Sequence, residues 1–233
     1  MSEMNNRRPA FKEPMFNVGE PAPLLVAIII VLCHLGYVLA PQSLKEVIFA
    51  ATFLGASEGN VLLSGRPLGN IATLFTHTLK HADWAHVLMN AGFIWIFGVL
   101  TIRATKNVEI PVFNRIKRGP IVFLTIFLAG ALLGALAQWI VWIAFGQSAI
   151  SVGASTGGAA LFAAAGWAIG GKERMLGFII VVMAIDAVVV LGGGSQRGMH
   201  DPAWLGHFGG LMAGALLAPK LLYPGGAHLN RFR

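Results

Sequence analysis

Ser155 and His207 are the residues of this chain best suited to covalent chemistry. Each lies in an apolar, glycine-rich stretch: Gly153-Ala154-Ser155-Thr156-Gly157 and Trp204-Leu205-Gly206-His207-Phe208-Gly209-Gly210. An imidazole in hydrocarbon is costly, so a histidine in such a run is by default a functional residue. A serine hydroxyl is a weak nucleophile until a neighbouring base takes its proton, and a histidine on another helix supplies that base. A third polar cluster runs from Thr76 to Asn90 and holds His77, His81, His86 and Asn90. His86 and Asn90 are four residues apart, so a helix shows both on one face, where they can donate hydrogen bonds to a neighbour.

Together these types allow acyl transfer. Ser155 is the expected nucleophile and His207 the general base, which later protonates the leaving amine. The oxyanion is expected to draw on the Ser155 N–H, Asn90 and His86, worth several kcal/mol together. Gly206, Gly209, Gly210 and Gly214 near the histidine, and Gly153, Ala154, Gly157 and Gly158 near the serine, let two helix backbones approach closely. Asp186 reads as a neutral carboxyl facing the interior at mid-membrane, and Asp201 sits in a loop. Neither is expected to orient His207, so a Ser-His dyad is predicted rather than a triad.

The elements that must hold these residues follow from composition. Of 233 residues, 56% are hydrophobic and only 12% charged, against roughly 25% charged in an average soluble domain. Apolar residues fall in long runs, and segments of about 20 such residues read as membrane spans. Six are predicted: 22–40, about 84–100, 121–145, 152–169, 175–191 and 203–222. Residues 42–83, broken by Gly55, Gly59, Gly65 and Gly69, are expected to form a partly helical loop at the outer membrane surface.

Thirteen of the 17 Lys and Arg fall in the N-terminus, the second-to-third and fourth-to-fifth loops, and the C-terminus. The positive-inside rule therefore puts both termini in the cytoplasm. The second, fourth and sixth spans then all begin outside, which brings the three polar clusters to one depth. The same bias accounts for the net charge of +7, so nucleic acid is not an expected partner. The single Cys33 excludes an internal disulfide. Three domains are predicted: a polar cytoplasmic tail at 1–20, a six-helix membrane domain at 21–222 and a short cytoplasmic tail at 223–233.

Three motifs now stand in order on spans two, four and six. They are Thr76-His77 with His81, His86 and Asn90; Gly153-Ala154-Ser155; and Trp204 with His207-Phe208-Gly209-Gly210 and Gly214. In these the chain resembles the rhomboid family of intramembrane serine proteases, over roughly residues 20–222. The resemblance implies an all-α, six-helix bundle with a membrane-embedded outer loop between the first two spans. It also implies Ser155 as nucleophile, His207 as base, and His86 and Asn90 at the oxyanion. Gly192-Gly193-Gly194-Ser195 is similar to part of the family's flexible cap.

The chain departs from the family pattern at Thr156, where glycine usually follows the serine. It departs again at Ala159, where an aromatic often packs under the histidine, and at Ala72-Thr73, where Trp-Arg is common. Transmembrane protein substrates and the lipid bilayer are the implied partners, in a bacterial inner (plasma) membrane. The alternative reading is a catalytically inactive rhomboid-like protein that binds membrane-protein clients. No cofactor is expected. A metal site is disfavoured because no HExxH is present and two of the seven histidines, His34 and His228, are remote in sequence. His77 and His81 are predicted to tie the outer loop to the head of the second span.

Overall fold

The computed structural model describes residues 20–52, 54–56, 67–105, 118–145, 149–191 and 204–225. The tail at 1–19, the apolar stretch Val61-Leu62-Leu63 and the glycine-rich 192–195 stretch lie outside the described residues.

Helix α1 (Pro21–Leu39) opens on proline at its first position, where the missing N–H costs nothing. It stops at Ala40, which is extended because Pro41 follows. Its buried residues, Pro23, Ala27, Ile30 and His34, recur at helical spacing, while Leu25, Ile28, Ile29 and Leu32 on the other faces are exposed. A helix apolar on every face belongs in lipid. Short helices α2 (Gln42–Thr52) and α3 (Pro67–Thr76) and a 3-10 turn (His77–Leu79) follow. They make the segment between α1 and the next long helix partly helical.

Helix α4 (Trp84–Arg103) begins at Asp83, whose carboxylate accepts from the His86 N–H at 2.8 Å and satisfies an otherwise unpaired first-turn donor. Helix α5 (Arg118–Ala144) leads to a short antiparallel ribbon, in which β1 (Leu54–Ala56) pairs with β2 (Ala149–Ser151), Gly55 opposite Ile150. Helix α6 (Ser155–Leu191) is one element broken at Gly170 and Gly171, the latter at φ +70°. Helix α7 (Trp204–Leu221) closes the described fold.

The break in α6 is a reversal. A Cβ on Gly166 would lie 2.7 Å from the Met175 Cα and 3.0 Å from the Arg174 carbonyl, so the second arm (residues 172–191) folds straight back along the first (155–169). The first arm is buried almost throughout, from Thr156 to Ala168. It is enclosed by α4, α5, α7 and its own second arm. A helix enclosed on all sides has room only for small side chains, which accounts for its glycines and alanines. The core joins Ala160, Leu161, Ala164 and Ala168 of this arm to Val87 and Ile94, Phe123, Ile126 and Phe127, and Ala213. The second arm is peripheral and exposes Ile180, Val181, Ile185, Val188 and Leu191.

Each of the six expected spans overlaps a helix: α1, α4, α5, one or other arm of α6, or α7. Among the described residues, four helices are long and apolar enough to cross a membrane: Pro21–Leu39, Trp84–Arg103, the Arg118–Trp142 stretch of α5, and Ser155–Leu191 with its break. The chain is an integral membrane protein by that measure and by the broad apolar surface it exposes.

Candidate active site

Ser155 is the first residue of α6, so its N–H is one of the donors a helix leaves unpaired at its start. The positive end of the helix dipole lies there too and favours developing negative charge. The chain reaches this point from β2 through Gly153 at φ +121°, a conformation that L residues rarely adopt.

Two histidines hold the approach. The Gly153 N–H donates to the His77 carbonyl at 2.8 Å, and the Ala154 N–H donates to His81 Nε2 at 3.2 Å. His77 Nδ1 lies 3.0 Å from the Thr73 carbonyl, which can only accept. Nδ1 therefore carries the proton, and Nε2 accepts from the Thr156 hydroxyl at 3.2 Å. The expectation for these histidines is thus modified: their hydrogen bonds hold the serine strand and the head of α6, while His81 meets the head of α4 through an edge-on ring contact with His86 at 5.1 Å.

Both rings are buried and held neutral. His77 is pushed down to about 4, chiefly by desolvation. His81 is pushed down to about 3, by desolvation first and then by His86, His34 and Lys80. Lys80 Nζ donates to the His81 carbonyl at 2.8 Å and lies 4.1 Å from the centre of the Tyr37 ring; burial lowers its pKa.

The unusual residue after the serine is therefore accounted for by its hydroxyl. Thr156→Val keeps the shape and removes the donor, leaving His77 Nε2 buried without a partner. A loss of about 1–3 kcal/mol in unfolding free energy is expected in detergent-solubilised protein. An unchanged stability would show that the bond contributes nothing.

His86 and Asn90 converge on the same point from α4. A Cβ on Gly153 would lie 2.8 Å from His86 Nε2 and 3.6 Å from Asn90 Nδ2. Asn90 is buried, and its Nδ2 has no hydrogen-bond partner. An unpaired buried donor is costly, and here it faces the strand that delivers the serine.

Helix α7 brings His207. A Cβ on Gly210 would collide with the Thr156 carbonyl, and one on Gly214 with the Ala160 carbonyl. The two helices therefore run in register, four residues against four. His207 lies three residues before Gly210, on the same face and one turn toward the start of α7. That register sets it level with the start of α6. The first turn of α7 is itself satisfied from α5, where Gln138 Oε1 accepts from the Gly206 N–H at 3.0 Å. Gln138 was not anticipated; a lone amide in a 27-residue apolar helix was its signal.

One expectation fails here. An acidic residue does lie against the histidine: both Asp186 carboxylate oxygens lie beside His207 Nδ1, at 2.9 and 3.0 Å. Asp186 was read at mid-membrane on the fifth span. The count around the break at Gly171 sets it higher. Ser155 lies 16 residues before Gly171 and Asp186 lies 15 after it, so at 1.5 Å per residue the two return to about the same level. Among the described residues no hydrogen bond joins Ser155 to His207, whose own bonds run to Asp186. Catalytic bonds are often long before substrate arrives.

Among the described residues no group of three or more His, Cys, Asp or Glu is arranged to hold a metal ion. The family model for the Rhomboid domain matches residues 68–224, 157 of the 233 residues. No curated protein matches the chain. Because the family match covers more than half of the chain and takes in all four helices that meet around Ser155, this protein belongs to the rhomboid family.

Proposed function

We propose that the protein is an intramembrane serine endopeptidase that cleaves transmembrane segments of membrane proteins near their outer ends. The observation that supports this reading is the unpartnered Asn90 Nδ2 facing Gly153, two residues before Ser155, together with the Gly210–Thr156 register that sets His207 level with the head of α6.

Ser155 Oγ attacks the scissile carbonyl as its proton passes to His207 Nε2. The oxyanion takes hydrogen bonds from the Ser155 N–H, Asn90 Nδ2 and His86, donors already oriented in a water-poor site. His207 then gives its proton to the leaving amine, and water hydrolyses the acyl-enzyme. The charge bias of the loops supports cytoplasmic terminal tails and an even number of spans, six over residues 21–222, and the small share of chain outside them suits a bacterial inner membrane.

Ser155→Ala is expected to abolish cleavage of a model transmembrane substrate in liposomes and labelling by a fluorophosphonate probe. His207→Ala is expected to do the same. Cleavage that survives Ser155→Ala overturns the mechanism. Wild-type protein that neither labels nor cleaves supports instead an inactive relative that binds membrane-protein clients.

A further inference from the structure

We propose that Asp186 is a positioning residue for His207: it holds the imidazole in the one tautomer and orientation that leave Nε2 free to take the serine proton. This rests on the reading of Ser155 and His207 as nucleophile and base.

Geometry supports the role first. Both carboxylate oxygens lie within 3.0 Å of Nδ1. A carboxylate only accepts, so Nδ1 carries the hydrogen and Nε2 keeps its lone pair. The partly open side chain of His207, 24% exposed against 12% for Asp186, leaves the ring reachable by Ser155 and substrate. When the serine proton arrives at Nε2, the imidazole becomes a cation already facing an anion.

Location supports it next. A carboxylate in a membrane helix is expensive and persists where it is paired. The second arm of α6 turns Ile180, Val181, Ile185, Val188 and Leu191 outward and buries Asp186. Among the described residues, its hydrogen bonds go to His207 alone. Ala159 also faces this arm, in a cluster with Leu211 and packed beside Ile179, Val182 and Met183. No aromatic supports the histidine from position 159, and the second arm occupies that side instead.

A rival role is visible. A cavity of about 370 Å³, lined by Met183, Asp186, Ala187, Val190, Leu191 and Trp204, borders the carboxylate. Asp186 could there touch a substrate side chain, and that role would show in KM.

The test uses the full chain in liposomes with a cleavable transmembrane substrate. In Asp186→Asn an amide replaces the carboxylate; its NH₂ can donate to Nδ1 and so favours the wrong tautomer. This variant is expected to lower kcat by about 10²–10⁴-fold, as loss of an orienting carboxylate does in serine hydrolases, with KM changed less than about threefold. Asp186→Glu is expected to restore part of kcat. A wild-type kcat in Asp186→Asn, or a loss confined to KM, overturns the proposal.

¹⁵N-histidine NMR of the wild-type protein gives a second readout that needs no variant to fold. Protonated Nδ1 with unprotonated Nε2 at His207 is expected, and the opposite tautomer overturns the assignment. If Ser155→Ala still cleaves, the reading of Ser155 as nucleophile fails. The tautomer measurement continues to test the Asp186 contact by itself.

Discussion

Gly210→Ala is expected to cost about 3 kcal/mol or more in unfolding free energy and at least about 100-fold in kcat/KM. The added methyl meets the Thr156 carbonyl on one side and lies 3.2 Å from the Ala159 Cβ on the other. Neither is the far end of a flexible side chain. The first arm of α6 cannot retreat, because Phe127 lies against Gly157 and Ala160 against Gly130 on its α5 side. Strain of this kind in a packed core costs about 1–3 kcal/mol and more where the backbone must move. Helix α7 must therefore shift, and His207 is carried with it. A misplacement of about 1 Å at a reacting group can cost roughly 100-fold. Gly177→Ala is the control: nothing lies within 4 Å of its added Cβ. That variant should keep full activity and gain up to about 1 kcal/mol from helix propensity. Thermal unfolding in detergent and substrate cleavage, measured on both variants, check the pair. Equal behaviour would show that the approach of α7 to α6 is slack.

Acidification should unfold this protein through His77 and His81. Each is neutral when folded, down to about pH 4 for His77 and about pH 3 for His81. In the unfolded chain each takes up a proton near its ordinary value of 6.5. Between those limits the unfolded state binds more protons, so stability is complete above about pH 6.5 and falls as pH drops. The slope is about 1.4 kcal/mol per pH unit for each histidine. His77 alone then removes about 3 kcal/mol by about pH 4, and His81 a similar amount. The damage is local before it is global. Protonating His81 Nε2 ejects the Ala154 N–H, whereas protonating His77 Nε2 reverses its bond, with Thr156 Oγ1 turned from donor to acceptor. Unfolding free energies from about pH 8 to about pH 4 should show this fall, and His77→Asn should remove about half of it. A flat profile in the wild-type protein would contradict the burial of both rings.

The long apolar runs were legible in the sequence because each span carries its own signal in composition. The candidates Ser155, His207, His86 and Asn90 stood out for a different reason: polar types are rare in such runs, and the charge bias reads as setting them at one depth. The partners of those residues were hidden. His81 reaches the Ala154 N–H across 73 positions and His77 reaches Thr156 across 79, and no periodicity encodes such pairings. Asp186 was visible as a costly residue, but its contact depends on the hairpin at Gly171. A straight count along one span gives its depth without its neighbour. Thr156 stood out as a departure from the family pattern, and only the His77 bond gives it a task.

The hairpin of α6 also acts as a ruler. One residue inserted between Gly171 and Asp186 would turn the carboxylate by about 100° around the arm and move it about 1.5 Å along it. The carboxylate would then face lipid and an aliphatic side chain would meet His207. A deletion does the same in the opposite sense, and the first arm is under the same constraint through Ser155. Sixteen residues down and fifteen back is therefore a fixed length. Insertions and deletions are therefore excluded from either arm between residues 155 and 186.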